Sequence, residues 1–186
     1  MLDGSWPGWG IEQSCISAAA GLLGVFAGTF MTNRNQAKQR QLERIRDQLQ
    51  NFYSPMLGFR LQIKAKSELR LELTSIARSA GPTANAEETA EFDKLLGYNS
   101  DQLKTEIIPL YRAMLEHFNQ RLYLCESSTI AYHAKLVEFV EIWNRFLSET
   151  IPRSVLRNRE HSETELHPFY LDLQDNFNKL SEKLRE

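Results

Sequence analysis

Histidines that lie close to acidic residues are the first candidates for chemistry, because imidazole and carboxylate groups bind metals and transfer protons. His161 and His167 lie beside Glu160, Glu163 and Glu165 near the C-terminal end of the sequence. The two histidines do not form a His-x₃-His pair, the spacing that places both imidazoles on one helical turn. Helix capping and surface charge explain these residues better than a metal site does. The chain also has no glycine-rich phosphate loop, nucleophile elbow or Cys-x-x-Cys pair, so we expect no cofactor and no metal.

A second candidate pair is Arg112 and His117, the first and last residues of the run Arg-Ala-Met-Leu-Glu-His. This Arg-x₄-His spacing resembles the signature of the HEPN superfamily, helical domains that often dimerise and cleave RNA without a metal. The resemblance implies that Arg112 would stabilise phosphate charge and that His117 would serve in acid–base catalysis. The family often has a polar residue directly after the arginine, where this chain has Ala113.

The positions of these two side chains depend on the helix that carries them. Residues five apart lie about 140° from each other on an ideal helix, so Arg112 and His117 converge only if the backbone is distorted. Pro109 could supply a distortion, because proline is favoured in the first turn of a helix. The alternative is an exposed i,i+4 ion pair between Arg112 and Glu116, with His117 beside it.

The most distinctive segment lies at the other end of the chain. Residues 13–33 carry no charge, and about twenty helical residues span the ~30 Å hydrocarbon core of a bilayer. Trp6 and Trp9 precede the segment, where aromatic rings favour the headgroup layer, and basic residues follow it. Basic residues next to a membrane span are enriched on its cytoplasmic side. This rule predicts an extracytoplasmic N-terminus (1–12), a transmembrane helix (13–33) and a cytoplasmic helical domain (34–186). The lipid-facing basic residues would be Arg34, Lys38, Arg40, Arg44 and Arg46.

Small residues recur at a spacing of four within this segment, at Ala20, Gly24 and Gly28. Such spacing lets two membrane helices approach closely, so these residues are the candidate oligomerisation site. In the alternative interpretation, alanine and glycine only fill a short span. Residues 13–33 could also form a buried core helix or a secretory signal peptide, although a signal peptide needs a positively charged start that this chain lacks.

Several runs of the cytoplasmic part show helical periodicity. Residues 42–63 repeat apolar side chains at alternating spacings of three and four, which could face the protein's own core or a second copy. Pro55 should kink or split this helix, with Phe52, Tyr53 and Met56 as a packed junction around it. A second stripe follows on Leu57, Leu61, Ala65, Leu69 and Leu73, where an isolated strand at 69–73 is the alternative.

Three more helical runs cover residues 101–124, residues 128–150 and the chain after Ser162. Ser162 and Glu165 have the spacing of a capping box, in which each side chain satisfies the other residue's free amide. The predicted fold class is therefore all-α, an N-terminal transmembrane helix followed by a bundle of four or five helices.

The formal net charge of −2 excludes a generally basic nucleic-acid binder, so RNA as a partner is not indicated by charge. Size, anchor, helical body and the Arg-x₄-His motif together resemble the membrane accessory proteins of type VI-B CRISPR systems. The resemblance implies an oligomer that forms a pore and strengthens defence against phage. The runs at residues 49–56 and 136–143 also look like family signatures.

Two function classes follow from the sequence. In the first, the protein is a membrane-anchored interaction or scaffold protein that forms a homo-oligomer and recruits an unidentified cytoplasmic protein. In the second, the body is a HEPN-like RNA-binding domain or metal-independent ribonuclease that uses Arg112 and His117.

Overall fold

The prediction of an all-α body is confirmed. The computed structural model describes residues 34–79, 86–157 and 162–185, and this part of the chain contains no strand. Residues 69–73 are helical, so the strand alternative is wrong there. The α-helices are α1 (34–48), α2 (Ser54–Ser79), α3 (Ala86–Gln102), α4 (Ile108–Gln120), α5 (Ser127–Ile130), α6 (His133–Leu147), α7 (Arg153–Arg157) and α8 (His167–Lys183). After α1, the long helices are α2, α3, α4, α6 and α8, in line with the predicted bundle of four or five helices.

The chain divides into two compact units, Met1–Arg44 and Ile45–Glu186. In the first unit the structure describes residues 34–44, which are helical and mostly exposed. The predicted membrane span, residues 13–33, lies outside the described residues. None of the helices described is long and apolar enough to cross a bilayer.

Two prolines occupy equivalent places in the second unit. Pro55 and Pro109 each stand at the second position of an α-helix, directly after a five-residue π-helical segment, Leu49–Tyr53 or Leu103–Ile107. Each π segment closes with an i→i−5 hydrogen bond, from Ser54 N–H to Leu49 C=O and from Ile108 N–H to Leu103 C=O. Proline lacks the N–H that an α-helix would donate to residue i−4, and the wider π turn accommodates this loss. The expected break at Pro55 is therefore a change of helix type.

The core lies among the first π segment, the start of α2, and helices α4, α6 and α8. The 3-4 repeat of the first cytoplasmic stretch serves this core, since Ile45, Leu49, Phe52, Met56 and Ile63 are all buried there. The predicted packed junction is confirmed, because Phe52, Tyr53 and Met56 are fully buried and the two rings meet edge to face at 5.0 Å. Burying an aromatic or aliphatic side chain contributes about 1.5–3 kcal/mol, so this junction is a main source of stability.

Helix α2 continues past this core. Beyond Ile63 it contributes no further residue to the core cluster and instead contacts α3, where Asn99 Nδ2 donates a 2.8 Å hydrogen bond to Thr74 Oγ1. The second half of α2 and α3 therefore form a helical hairpin with one side of α2 left uncovered.

The last long helix starts after the predicted capping box, which forms only in part. Ser162 Oγ accepts a 3.1 Å hydrogen bond from the N–H of Thr164, so the serine caps as expected. The Glu165 carboxylate instead forms an ion pair with Lys135 on α6. Because a charged partner is within reach, the carboxylate binds it rather than the backbone of Ser162.

Candidate functional site

The uncovered side of α2 carries a row of apolar side chains. Leu61, Leu69 and Ile76 are 66%, 55% and 59% exposed, and Ala65 lies exposed between them. With 100° per residue, these four positions fall within an arc of about 80°. The buried residues of α2 (Met56, Ile63 and Ser67) lie on the opposite side of the helix. We name the row Leu61, Ala65, Leu69 and Ile76 the outer stripe.

The outer stripe differs from scattered surface apolar residues, which are normal on proteins. It extends over about 22 Å of one helix, given a rise of 1.5 Å per residue. Lys64 and Glu68, which pair at 3.7 Å, border it, and Glu72 lies within it. An apolar surface with polar residues along it is typical of a contact surface for another protein. The sequence shows the periodicity of this stripe but gives no sign that it faces away from the core.

Arg112, the first of the two predicted catalytic residues, lies exposed on α4 and faces α6. Its Nε donates a hydrogen bond of 2.7 Å to Oδ1 of Asn144. Glu116 accepts a hydrogen bond from Gln120 instead of pairing with Arg112. The predicted Arg112–Glu116 ion pair is therefore absent among the described contacts, because Asn144 offers Arg112 an acceptor on the neighbouring helix.

His117 lies in a different environment. Its ring packs against Phe52 and Phe59, with centroid distances of 6.2 and 6.0 Å, and Nε2 is enclosed without a hydrogen-bond partner among the described residues. Burial lowers the pKa of His117, the positive charge of Arg121 lowers it further, and a hydrogen bond with the backbone of Asn51 acts in the opposite direction. Pro55 has no N–H, so it cannot donate the usual helical hydrogen bond to the carbonyl group of Asn51, four residues earlier.

The described contacts thus direct the two side chains to different neighbours. Arg112 bonds to α6, whereas His117 packs on the π segment and on α2. The α4 backbone between them is regular, since the π distortion ends at Ile107, before Arg112. Catalysis by this pair stays a prediction that rests on the sequence spacing.

A buried polar network, not predicted from the sequence, joins three parts of the bundle. Tyr53 and Thr129 hydroxyls lie 3.1 Å apart, and Thr129 Oγ1 donates to Asp172 Oδ2 at 2.6 Å. Asn176 Nδ2 donates to both Thr129 Oγ1 and Asp172 Oδ2 at 3.1 Å. Tyr53 also accepts from the N–H of Glu126 at 3.0 Å. Such networks rigidify a core when every member is satisfied, and their members are too far apart in sequence to be recognised as a motif.

A second cluster not predicted from the sequence surrounds Arg60 on α2. The Arg60 guanidinium lies 4.0 Å above the ring centroid of Tyr170 and forms an ion pair with Glu163. The hydroxyl of Tyr170 donates to that of Tyr111 at 3.4 Å. Burial raises the pKa of both tyrosines, so both phenols remain neutral and serve as hydrogen-bonding groups. The cluster holds α2, α4 and α8 together.

The remaining predicted site residues divide between described and undescribed parts of the chain. Ala20, Gly24 and Gly28 lie outside the described residues. The basic residues predicted to face lipid are helical and exposed: Arg34, Lys38, Arg40, Arg44 and Arg46. Among the residues that the structure describes, no group of three or more His, Cys, Asp and Glu side chains could hold a metal.

Comparisons with known proteins do not add a family to these observations. Neither the protein-family models, nor the curated proteins, nor the solved structures contain a significant match to this chain.

Proposed function

We propose that this protein is a membrane-anchored helical interaction protein that self-associates and recruits a cytoplasmic partner. The observation that carries the proposal is the outer stripe, because four apolar side chains lie in line on the solvent side of α2. Burial of a large aliphatic side chain contributes about 1.5–3 kcal/mol, so burial of the stripe residues favours the binding of a partner helix there. Helix-in-groove and helix-on-helix contacts use this spacing of anchors.

The anchor is part of the proposal and is supported by the sequence. Residues 13–33 have the length and lack of charge of a membrane span, and basic residues follow them directly. A tether in the plane of a membrane raises the effective concentration of neighbouring copies, which favours a weak contact such as a single helix stripe. The resemblance to type VI-B CRISPR accessory proteins extends the proposal to a pore-forming oligomer in antiviral defence.

A second copy of the chain is the occupant we propose for the outer stripe. The stripe carries charges of both signs, Lys64, Glu68 and Glu72, so Lys64 of one copy can pair with a glutamate of the other when the two helices meet. The residues of the 42–63 repeat are unavailable for this role because most of them are buried in the protein's own core.

The test is the mass of the full-length protein in detergent, measured by size-exclusion chromatography with light scattering. We expect the wild type to be oligomeric and the triple variant Leu61→Gln, Leu69→Gln, Ile76→Gln to have a smaller mass with unchanged helix content. A matched control is Leu171→Gln on α8, which removes an apolar side chain that is 54% exposed outside the stripe. A triple variant with the wild-type mass would overturn the assignment of the stripe.

The anchor is tested separately by washing native membranes with alkaline carbonate. An anchored protein stays in the membrane pellet, and release of the full-length protein into the supernatant would contradict the anchor. The two experiments are independent, since stripe variants retain residues 13–33.

A further inference from the structure

The α2–α3 hairpin contains a cavity of about 670 Å³, and the four residues of the outer stripe are not among the described residues that line it. This volume lies in the range of about 300–1,000 Å³ that is typical of pockets for small ligands. Its walls come from the second half of α2, from the end of α3 and from the start of the π segment that follows. Both walls belong to the same compact unit of the chain.

Two arginines give this cavity its charge. Arg70 and Arg78 both line it, and the described residues that line it include no aspartate or glutamate. None of the ion pairs formed by the described residues involves either guanidinium. The two arginines are eight residues apart, or about 12 Å along α2. An excess of unpaired positive charge in a concave, partly apolar site attracts anions.

Arg70 has an unmet hydrogen-bonding requirement. Its Nε is enclosed, yet it has no acceptor among the described residues. Leaving a buried donor without an acceptor costs about 1–3 kcal/mol, and more for a charged group. Burial also lowers the pKa of Arg70, which reflects the same loss of solvation. An oxyanion in the cavity would accept from the guanidinium, whose planar donors match carboxylate and phosphate oxygens in pairs.

The remaining lining residues divide into further donors and an apolar wall. Ser75 and Ser100 contribute hydroxyl groups, and Asn99 contributes an amide whose nitrogen already bonds to Thr74. Leu71 and Leu96, which are 62% and 36% exposed, supply apolar surface. A ligand with one anionic group and one flat apolar group would use both kinds of wall.

We propose that the cavity between α2 and α3 binds a small organic anion, with the phosphate or carboxylate group on Arg70 and the apolar part against Leu71 and Leu96. Arg78 lies nearer the end of α2 and attracts the anion electrostatically. The site is distinct from the outer stripe, so ligand binding and self-association are separable properties of one helix.

The experiment uses three matched probes on the full-length protein in detergent: 1-naphthyl phosphate, 1-naphthoate and uncharged 1-naphthalenemethanol. Isothermal titration calorimetry gives the dissociation constants. We expect at least one of the two anions to bind and the alcohol to bind at least tenfold more weakly. The comparison of the phosphate with the carboxylate identifies which oxyanion the site prefers.

Three variants locate the site. Arg70→Gln should weaken anion binding at least tenfold, and Ser75→Phe, at an exposed wall position, should block the cavity without disturbing the core. Arg145→Gln removes an exposed arginine that pairs with Glu141 on α6, and its affinity should equal that of the wild type. The proposal is overturned if neither anion binds at millimolar concentration, if the alcohol binds as tightly as the anions, or if Arg70→Gln and Ser75→Phe both retain wild-type affinity.

Discussion

The hydroxyl groups of Tyr53 and Thr129 lie 3.1 Å apart inside the bundle, although seventy-six positions separate the two residues in the chain. Both side chains are fully buried. Thr129 connects Tyr53 to Asp172 and Asn176 on α8, so one hydroxyl group links the π segment, α5 and α8. Removing this hydroxyl deprives Tyr53, Asp172 and Asn176 of one hydrogen-bond partner each.

We therefore expect Thr129→Val, which keeps the side-chain volume, to lower the free energy of unfolding by about 1–3 kcal/mol. Thr129→Ser keeps the hydroxyl and should lose less, about 1 kcal/mol for the missing methyl group. The measurement is urea unfolding followed by circular dichroism. Thr105→Val is the control, because Thr105 is exposed and bonds only to its own helix. A Thr129→Val protein as stable as the wild type would show that the network adds nothing to stability.

His117 should make stability depend on pH. Its pKa is lower in the folded protein than the usual 6.5, so below pH 6.5 the unfolded chain binds more protons than the folded one. The stability that depends on a neutral His117 is therefore at its maximum above pH 6.5. The free energy of unfolding falls as the pH drops through that value. His117→Phe keeps an aromatic ring beside Phe52 and Phe59 and cannot be protonated.

The unfolding midpoint in urea, measured from pH 8 to pH 5, tests this expectation. The wild type should lose stability more steeply than His117→Phe as the pH falls. His167→Gln, which removes an exposed histidine, should follow the wild-type curve. Parallel curves for the wild type and His117→Phe would rule out His117 as the source of the pH dependence.

The contact between Arg112 and Asn144 separates a structural role for Arg112 from a catalytic one. An exposed hydrogen bond contributes about 0.5–1 kcal/mol, so Arg112→Ala and Asn144→Ala should each lower stability slightly, and the double variant should lose less than their sum.

We expect no cleavage of single-stranded RNA in EDTA by the wild type or by Arg112→Ala and His117→Ala. Metal-independent cleavage that disappears in both variants would establish the HEPN-like alternative.

The small residues of the predicted membrane helix make a further prediction. If Gly24 and Gly28 allow close packing of two helices, the double variant Gly24→Ile, Gly28→Ile should be less oligomeric in detergent, because its side chains keep the backbones apart. Light scattering of the full-length protein measures this change, and Leu22→Ile in the same segment is the control. An unchanged mass in the double variant would mean that the glycines only fill the span.

Local signals in the sequence were sufficient to predict an all-α body and the approximate positions of most long helices, but no helix was predicted at residues 86–100, where α3 lies. Apolar side chains repeat at helical spacing in each long run, and Pro55, Pro109 and Ser162 mark where helical segments begin or change. These signals are local, since they depend on backbone hydrogen bonds and on neighbours within one or two turns. The same local argument correctly predicted that Phe52, Tyr53 and Met56 form a packed junction.

The packing of the helices against one another sets which apolar stripes are covered and which polar groups meet. Met56 and Leu61 both belong to regular apolar repeats of the sequence, yet Met56 is fully buried and Leu61 is 66% exposed. Periodicity identifies a helical face but cannot state what lies opposite that face. Likewise, the sequence offers Arg112 two nearby partners, Glu116 for an ion pair and His117 for catalysis. The hydrogen bond that Arg112 forms is instead with Asn144, thirty-two positions away. Contacts of this kind depend on the packing of separate helices, and packing is a property of the folded chain as a whole.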